Sequence, residues 1–124
     1  MTNSGLARIG QIAITIKDVE RSVAFYRDSL GMKLLFQAPP NLAFFDCDGV
    51  RLMLSPSEGT SETFSSVVYF KVDDIAKTHQ DLSSKGVPFD REPHMIAKMP
   101  DHDLWMAFFR DPDRNLLALM SEVR

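Results

Sequence analysis

His94 and His102 flank the segment Met95 to Asp101, and His102 stands between Asp101 and Asp103. A carboxylate next to an imidazole can orient it as a general base or give a weak cation site. The competing reading of this cluster is a solvated turn with a structural histidine. If His94–Met99 and Leu104–Arg110 are antiparallel neighbours, the two histidines fall at ends of that hairpin, about a strand length apart, too far to share a metal. His94 and His102 are the catalytic candidates. His79 lies on a predicted helix, at the surface. Tyr69 and Arg51 offer a hydroxyl and a guanidinium to an anionic ligand, or Arg51 is an exposed strand charge. Cys47 sits between Asp46 and Asp48, whose charge disfavours a thiolate, so it is not a nucleophile candidate. No phosphate-cradling glycine loop and no zinc-type cysteine spacing is present.

The elements that position these residues come from an internal repeat. A shift of 56 residues sets Gln11-Ile12-Ala13-Ile14-Thr15-Ile16-Lys17-Asp18 on Val67-Val68-Tyr69-Phe70-Lys71-Val72-Asp73-Asp74. The apolar positions coincide, Asp18 falls on Asp74, and Gly31 falls on Gly86 after one gap. Leu42-Ala43-Phe44-Phe45 likewise resembles Met106-Ala107-Phe108-Phe109. Each is followed by an Asp-rich turn and an apolar run, Val50 to Leu54 and Leu116 to Met120.

Within one unit, Ile12, Ile14 and Ile16 alternate with Ala13, Thr15 and Lys17, the period of a strand with two unlike faces. Asp18 is placed to cap a helix that ends at Gly31. Strands follow at Lys33–Gln37, Ala43–Asp46 and Arg51–Leu54, with Pro39-Pro40 as a break and Asp48-Gly49 as a turn. The second unit repeats this. Asp74 begins a helix ending near Gly86, and Val87–Asp90 is a weak edge strand containing Pro88. His94–Met99 is a further strand or an irregular extension of it, and Leu104–Arg110 and Leu116–Met120 are the last pair. The domain is thus a single unit of class α+β. Two βαβββ modules, about 8–56 and 66–122, are joined by a Ser/Thr/Gly/Glu-rich linker, about 57–65.

Alternation gives each strand one apolar face to lie under a helix: Ile12, Ile14 and Ile16; Leu52 and Leu54; Val68, Phe70 and Val72; Leu117 and Leu119. The opposite face is mixed: Gln11, Ala13 and Thr15; Arg51, Met53 and Ser55; Val67, Tyr69 and Lys71; Leu116, Ala118 and Met120. If Phe108 packs under a helix, Trp105, Ala107 and Phe109 join the mixed face. Such a face is solvent-exposed or lines a cavity; Ala13 and Ala118 leave room, and Met53 and Met120 are pliable. Core packing is the competing role for Met53, Trp105 and Met120.

The chain has 124 residues, 14 Lys and Arg against 17 Asp and Glu, and a net charge of −3. That balance disfavours nucleic acid as a partner. With 44% hydrophobic and 25% charged residues, disorder is excluded as a global description. A single cysteine forbids an internal disulfide and suits a reducing compartment. Met1–Gly10 has no apolar run of signal length, and no segment approaches a membrane span. The expectation is a cytoplasmic protein.

The segment Ile12 to Met32, with Ser22-x-x-Phe25-Tyr26 and Leu30-Gly31, resembles the opening of vicinal-oxygen-chelate proteins. These are the glyoxalase, bleomycin-resistance and dioxygenase superfamily. Phe109-Arg110-Asp111-Pro112-Asp113-Arg114-Asn115 resembles its late Asp-Pro-Asp-Gly-Asn turn, with Arg114 where glycine is usual. The resemblance covers Ile9 to Met120. It implies paired βαβββ modules in a curved mixed sheet enclosing a cavity, with four metal ligands in metal-dependent members. By position these fall on Gln11, Met53, Val67 and Ala118, of which only Gln11 has a suitable donor.

The expected function is therefore small-molecule binding without the usual metal or any cofactor. Gln11, Ala13, Arg51, Met53, Val67, Tyr69, Trp105, Phe109 and Ala118 would be the ligand-binding residues, with Arg51 and His102 at the rim. The alternatives are a lyase, isomerase or dioxygenase of the same superfamily, using a relocated Mn, Fe, Ni or Zn ion or a histidine-based acid–base pair at His94 or His102, and a structural or regulatory homodimer without ligand. The expected partners are a small organic ligand and a second copy of the chain, with no nucleic acid and no membrane.

Overall fold

The computed structural model describes residues 9–56 and 66–124. The linker expected at 57–65 lies outside them. Two four-stranded mixed sheets repeat one topology. In the first module, β1 (Gln11–Ile16), α1 (Val19–Ala24), β2 (Lys33–Ala38), β3 (Leu42–Cys47) and β4 (Val50–Pro56) build a sheet of order β1-β4-β3-β2. In the second, β5 (Val68–Lys71), α2 (Ile75–Ser84), β6 (His94–Lys98), β7 (Asp103–Arg110) and β8 (Leu116–Val123) give β5-β8-β7-β6. In both, the first strand is parallel to the last and the other neighbours are antiparallel.

The repeated sequence signals act locally as expected. The Asp18 carboxylate accepts from Arg21 N at 3.2 Å and that of Asp74 from Lys77 N at 3.1 Å, satisfying donors that a helix start leaves unpaired. Gly31 and Gly86 follow the helical segments with φ of +74° and +88°, a conformation costly for residues with a Cβ. The first helix is not α-helical throughout. Past Ala24 it widens into π-type turns over Phe25–Ser29, with Leu30 N donating to Phe25 O at 3.0 Å.

The core lies between sheets and helices. Ile14, Ile16, Leu52 and Leu54 are buried, as are Leu117 and Leu119 in the second module. Val68, Phe70 and Val72 pack against the same cluster.

Two expectations are corrected. Val87–Asp90 is not a strand: it makes one bridge, Phe89 to Phe109, on the β7 edge that β6 also occupies. Pro88 has no N–H to extend a ladder, and its carbonyl accepts from Arg110 N. The faces of β7 are also the reverse of the expectation. Phe109 is opposite Leu117 and Ala107 opposite Leu119, so both join the core face, and Trp105 packs against it too. Phe108 is opposite Ala118, on the other face, where it meets Tyr69 edge-on at 6.2 Å. β7 is apolar on both faces, so alternation alone does not orient it; the register with β8 does.

The turn between β7 and β8 fastens the modules together. Asp111 is buried and accepts from the Tyr26 hydroxyl at 2.9 Å, while Asp113 N, Asn115 N and Asn115 Nδ2 donate to it from its own turn. Asp113 accepts from Lys17 N at 3.0 Å, Arg21 Nη2 at 2.8 Å and Ser22 Oγ at 3.3 Å. Asn115 Nδ2 also donates to Thr15 O at 2.9 Å. Burial first, then the Asp111 charge, raises the Tyr26 pKa far above the usual phenol range, so the hydroxyl stays a donor.

Candidate functional site

The face of the first sheet turned away from the helices is built in cross-strand rows. Register sets Gln11 beside Arg51, Arg51 beside Asp46 and Asp46 beside Lys33. The next row runs Ala13, Met53, Phe44, Phe36. One row is charged and polar, and its neighbour grades from a small residue to a sulfur and two aromatics. Gln11 Nε2 approaches Met53 Sδ at 3.8 Å. Phe36 and Phe44 stack at 4.6 Å, and the Arg51 guanidinium lies over the Phe44 ring at 5.2 Å. The Asp46 carboxylate, opposite Arg51, instead accepts from Gly49 N in the adjoining turn. Among the described residues, no carboxylate pairs with Arg51.

Beside this face a cleft of about 850 Å³ opens at the seam of the modules. Ala13, Thr15, Met53 and Ser55 form its floor from the first sheet, with Leu42 at one side. Val68 and Leu116 contribute from the second module, and Asp113 and Asn115 of the fastening turn close one end. The volume is in the range of ordinary small-molecule sites.

The second sheet offers a tighter surface. Ala118, opposite Tyr69 on one side and Phe108 on the other, is fully buried where those two rings meet. Of the nine expected ligand-binding residues, Ala13 and Met53 line the cleft. Gln11 and Arg51 lie on the continuing face, and Val67 is half-buried just before β5. Tyr69 stands against Phe108, half-exposed. Phe109 and Trp105 belong to the core side, which corrects their expected place on the cavity face. Sequence reasoning missed Phe36 and Phe44. The alternation of β3 marks Phe44, since its neighbours Ala43 and Phe45 are both buried.

The histidines are held separately. His94 begins β6 and His102 belongs to the turn between β6 and β7, where Met99 N donates to His102 O. Four residues of strand separate His94 from that turn, roughly 13 Å at about 3.3 Å per residue. Arg91 Nη2 meets His94 Nε2 at 2.7 Å, so that nitrogen is the acceptor. His102 Nδ1 meets Asp101 Oδ1 at 2.7 Å. The hydrogen bond from His102 holds the Asp101 carboxylate below its usual pKa. Asp103 turns instead to Lys98 at 3.5 Å, so the expected Asp101-His102-Asp103 cluster is split. Among the described residues, no hydrogen bond or ion pair joins His102 to Arg51, its expected companion at the rim.

The chain matches the model of the Glyoxalase/Bleomycin resistance protein/Dioxygenase superfamily over residues 8–119. It belongs to that superfamily. One relative, the uncharacterized protein YraH of Bacillus subtilis, is 32% identical, covering 88% of this chain and 94% of its own. A superfamily member from Sphaerobacter thermophilus shares the fold with a TM-score of 0.77 at 22% identity, over 94% of this chain and 98% of that one. A lactoylglutathione lyase from Agrobacterium tumefaciens shares it at 0.74 and 20% identity, over 94% of each.

The resemblance puts the ligand positions of metal-dependent members on Gln11, Met53, Val67 and Ala118. That set supplies one amide, one thioether and two hydrocarbon side chains. It does not fit a divalent ion that needs several oxygen or nitrogen donors. Ala118 is moreover fully buried, with Tyr69 and Phe108 as its cross-strand neighbours.

Proposed function

We propose that this member of the superfamily binds a small organic ligand in the seam cleft without a divalent metal. The observation that carries this reading is the cleft itself. Ala13, Leu42, Met53, Val68 and Leu116 give it an apolar lining, Thr15, Ser55 and Asn115 supply neutral polar groups, and Lys17 and Asp113 add one charge of each sign. The four positions that the resemblance marks as metal ligands, Gln11, Met53, Val67 and Ala118, carry no chelating set. Met53 is an adaptable wall for flat or branched apolar bodies.

A thermal-shift screen in chelator, against aromatic and antibiotic-like compounds, tests this. A ligand that binds only the native state raises the midpoint. Shifts that persist in chelator are expected. Shifts that need added Mn, Fe, Ni or Zn would overturn the metal-free reading.

A second reading, acid–base catalysis at His102, has one observation behind it, the 2.7 Å contact with Asp101. A carboxylate so placed fixes the tautomer and leaves Nε2 as the basic nitrogen. Self-association draws support from Met95, Ile96 and Met99, exposed apolar side chains on or just after the edge strand β6. Light scattering at twice the chain mass is its test.

A further inference from the structure

We propose that the ligand of the seam cleft is an aromatic carboxylate, its ring over Ala13 and Met53 and its carboxylate on Arg51. This rests on the cleft being a binding site and adds the chemical class of what fills it. Arg51 is two residues before Met53 on β4, on the same face, so its backbone lies about 7 Å from that of a cleft-lining residue. Among the described residues its guanidinium has no ion pair or hydrogen bond. The carboxylate that register sets opposite it, on Asp46, is committed to Gly49 N.

A cation left without a partner among the described residues offers its N–H donors to an incoming anion. Its position is not left to solvent. The guanidinium rests on Phe44, and Phe44 is backed by Phe36 at 4.6 Å. Stacking removes rotamer freedom before the ligand arrives, so less is lost on binding. The Gln11 amide, in the same row, adds a donor beside it. Ala13 leaves an opening in the next row that a planar ring can enter, and the Met53 sulfur is a favourable neighbour for such a ring. An anionic end and a flat apolar body, joined within a few ångströms, match this arrangement. A cationic ligand would meet Arg51 as a like charge.

The test uses three probes of one shape, naphthoate, naphthamide and naphthylmethylamine, measured by calorimetry and by amide shifts on the intact protein. Naphthoate is expected to bind with shifts at Ala13 and Met53 and to weaken roughly tenfold to a hundredfold in Arg51→Gln. That loss is expected to vanish for naphthamide, which binds both proteins weakly and alike. Phe44→Leu is expected to weaken naphthoate by a smaller factor, since it frees the guanidinium without removing it. Arg51 is exposed, so its substitution leaves the fold intact. Equal binding of the amide or the amine, with shifts at Ala13 and Met53, would overturn the anionic class and leave the cleft standing. Failure of all three probes to shift those residues would overturn both.

Discussion

Replacing Tyr26 with phenylalanine removes one oxygen from the middle of the seam between the modules. The ring is fully buried, so its packing against Phe25 and Phe45 is kept. What is lost is a 2.9 Å hydrogen bond to a buried carboxylate that still has three donors from its own turn. A bond to a charged acceptor contributes about 2 kcal/mol. With a urea slope of roughly 1.5 kcal/mol per molar, the unfolding midpoint should fall by about 1.3 M with the slope unchanged. A shift below about 0.3 M would refute the claim that this bond fastens the modules. The alkaline limb gives a second check. Burial and Asp111 raise the folded pKa of Tyr26, so its contribution is complete below the unfolded value of about 10 and is lost progressively as pH rises from there through the folded value. Of the two tyrosines, the late-ionising phenol should therefore disappear from an absorbance titration in Tyr26→Phe.

Other outcomes follow from the same geometry. Arg114 holds φ at +68° in the fastening turn, a conformation glycine adopts without the Cβ penalty, so Arg114→Gly should stabilise the protein by about 0.5–1 kcal/mol in the same urea assay. Arg21→Ala should cost under about 1 kcal/mol despite its 2.8 Å contact with Asp113, because its side chain is half exposed; a larger loss would give the ion pair a weight it is denied here. Burial, and then Asp46 and Asp48, push the Cys47 thiol up. Its alkylation near pH 8 should be slower than that of an unhindered thiol and should climb with pH beyond the usual thiol range. Rapid alkylation at pH 8 would contradict that environment.

Much of the fold was legible in the chain because the signals were duplicated. Asp18 and Asp74, Gly31 and Gly86, and the two apolar strand patterns each specify one local event, and each event occurs twice. β7 was misread because Leu104 to Phe109 is apolar at every position, so only its pairing with β8 decides which side chains enter the core. The same ambiguity moved Trp105 and Phe109 out of the expected site. The aromatic pair of Phe36 and Phe44 was missed because the two residues are brought together across strands, past an irregularity in β2 between Leu34 and Phe36. The role of Asp113 was also hidden: its bonds reach residues more than ninety positions away, and no local pattern encodes them.

The central claim is that the seam cleft accepts an organic ligand by side-chain chemistry alone. It is tested most directly by following backbone amide shifts of the chelator-treated protein during titration with naphthoate. Saturable shifts gathered on Ala13, Thr15, Met53, Ser55 and Leu116, unchanged by added divalent ions, are the predicted result. Shifts gathered around His102 and Asp101 instead, or appearing only once a metal is supplied, would contradict it.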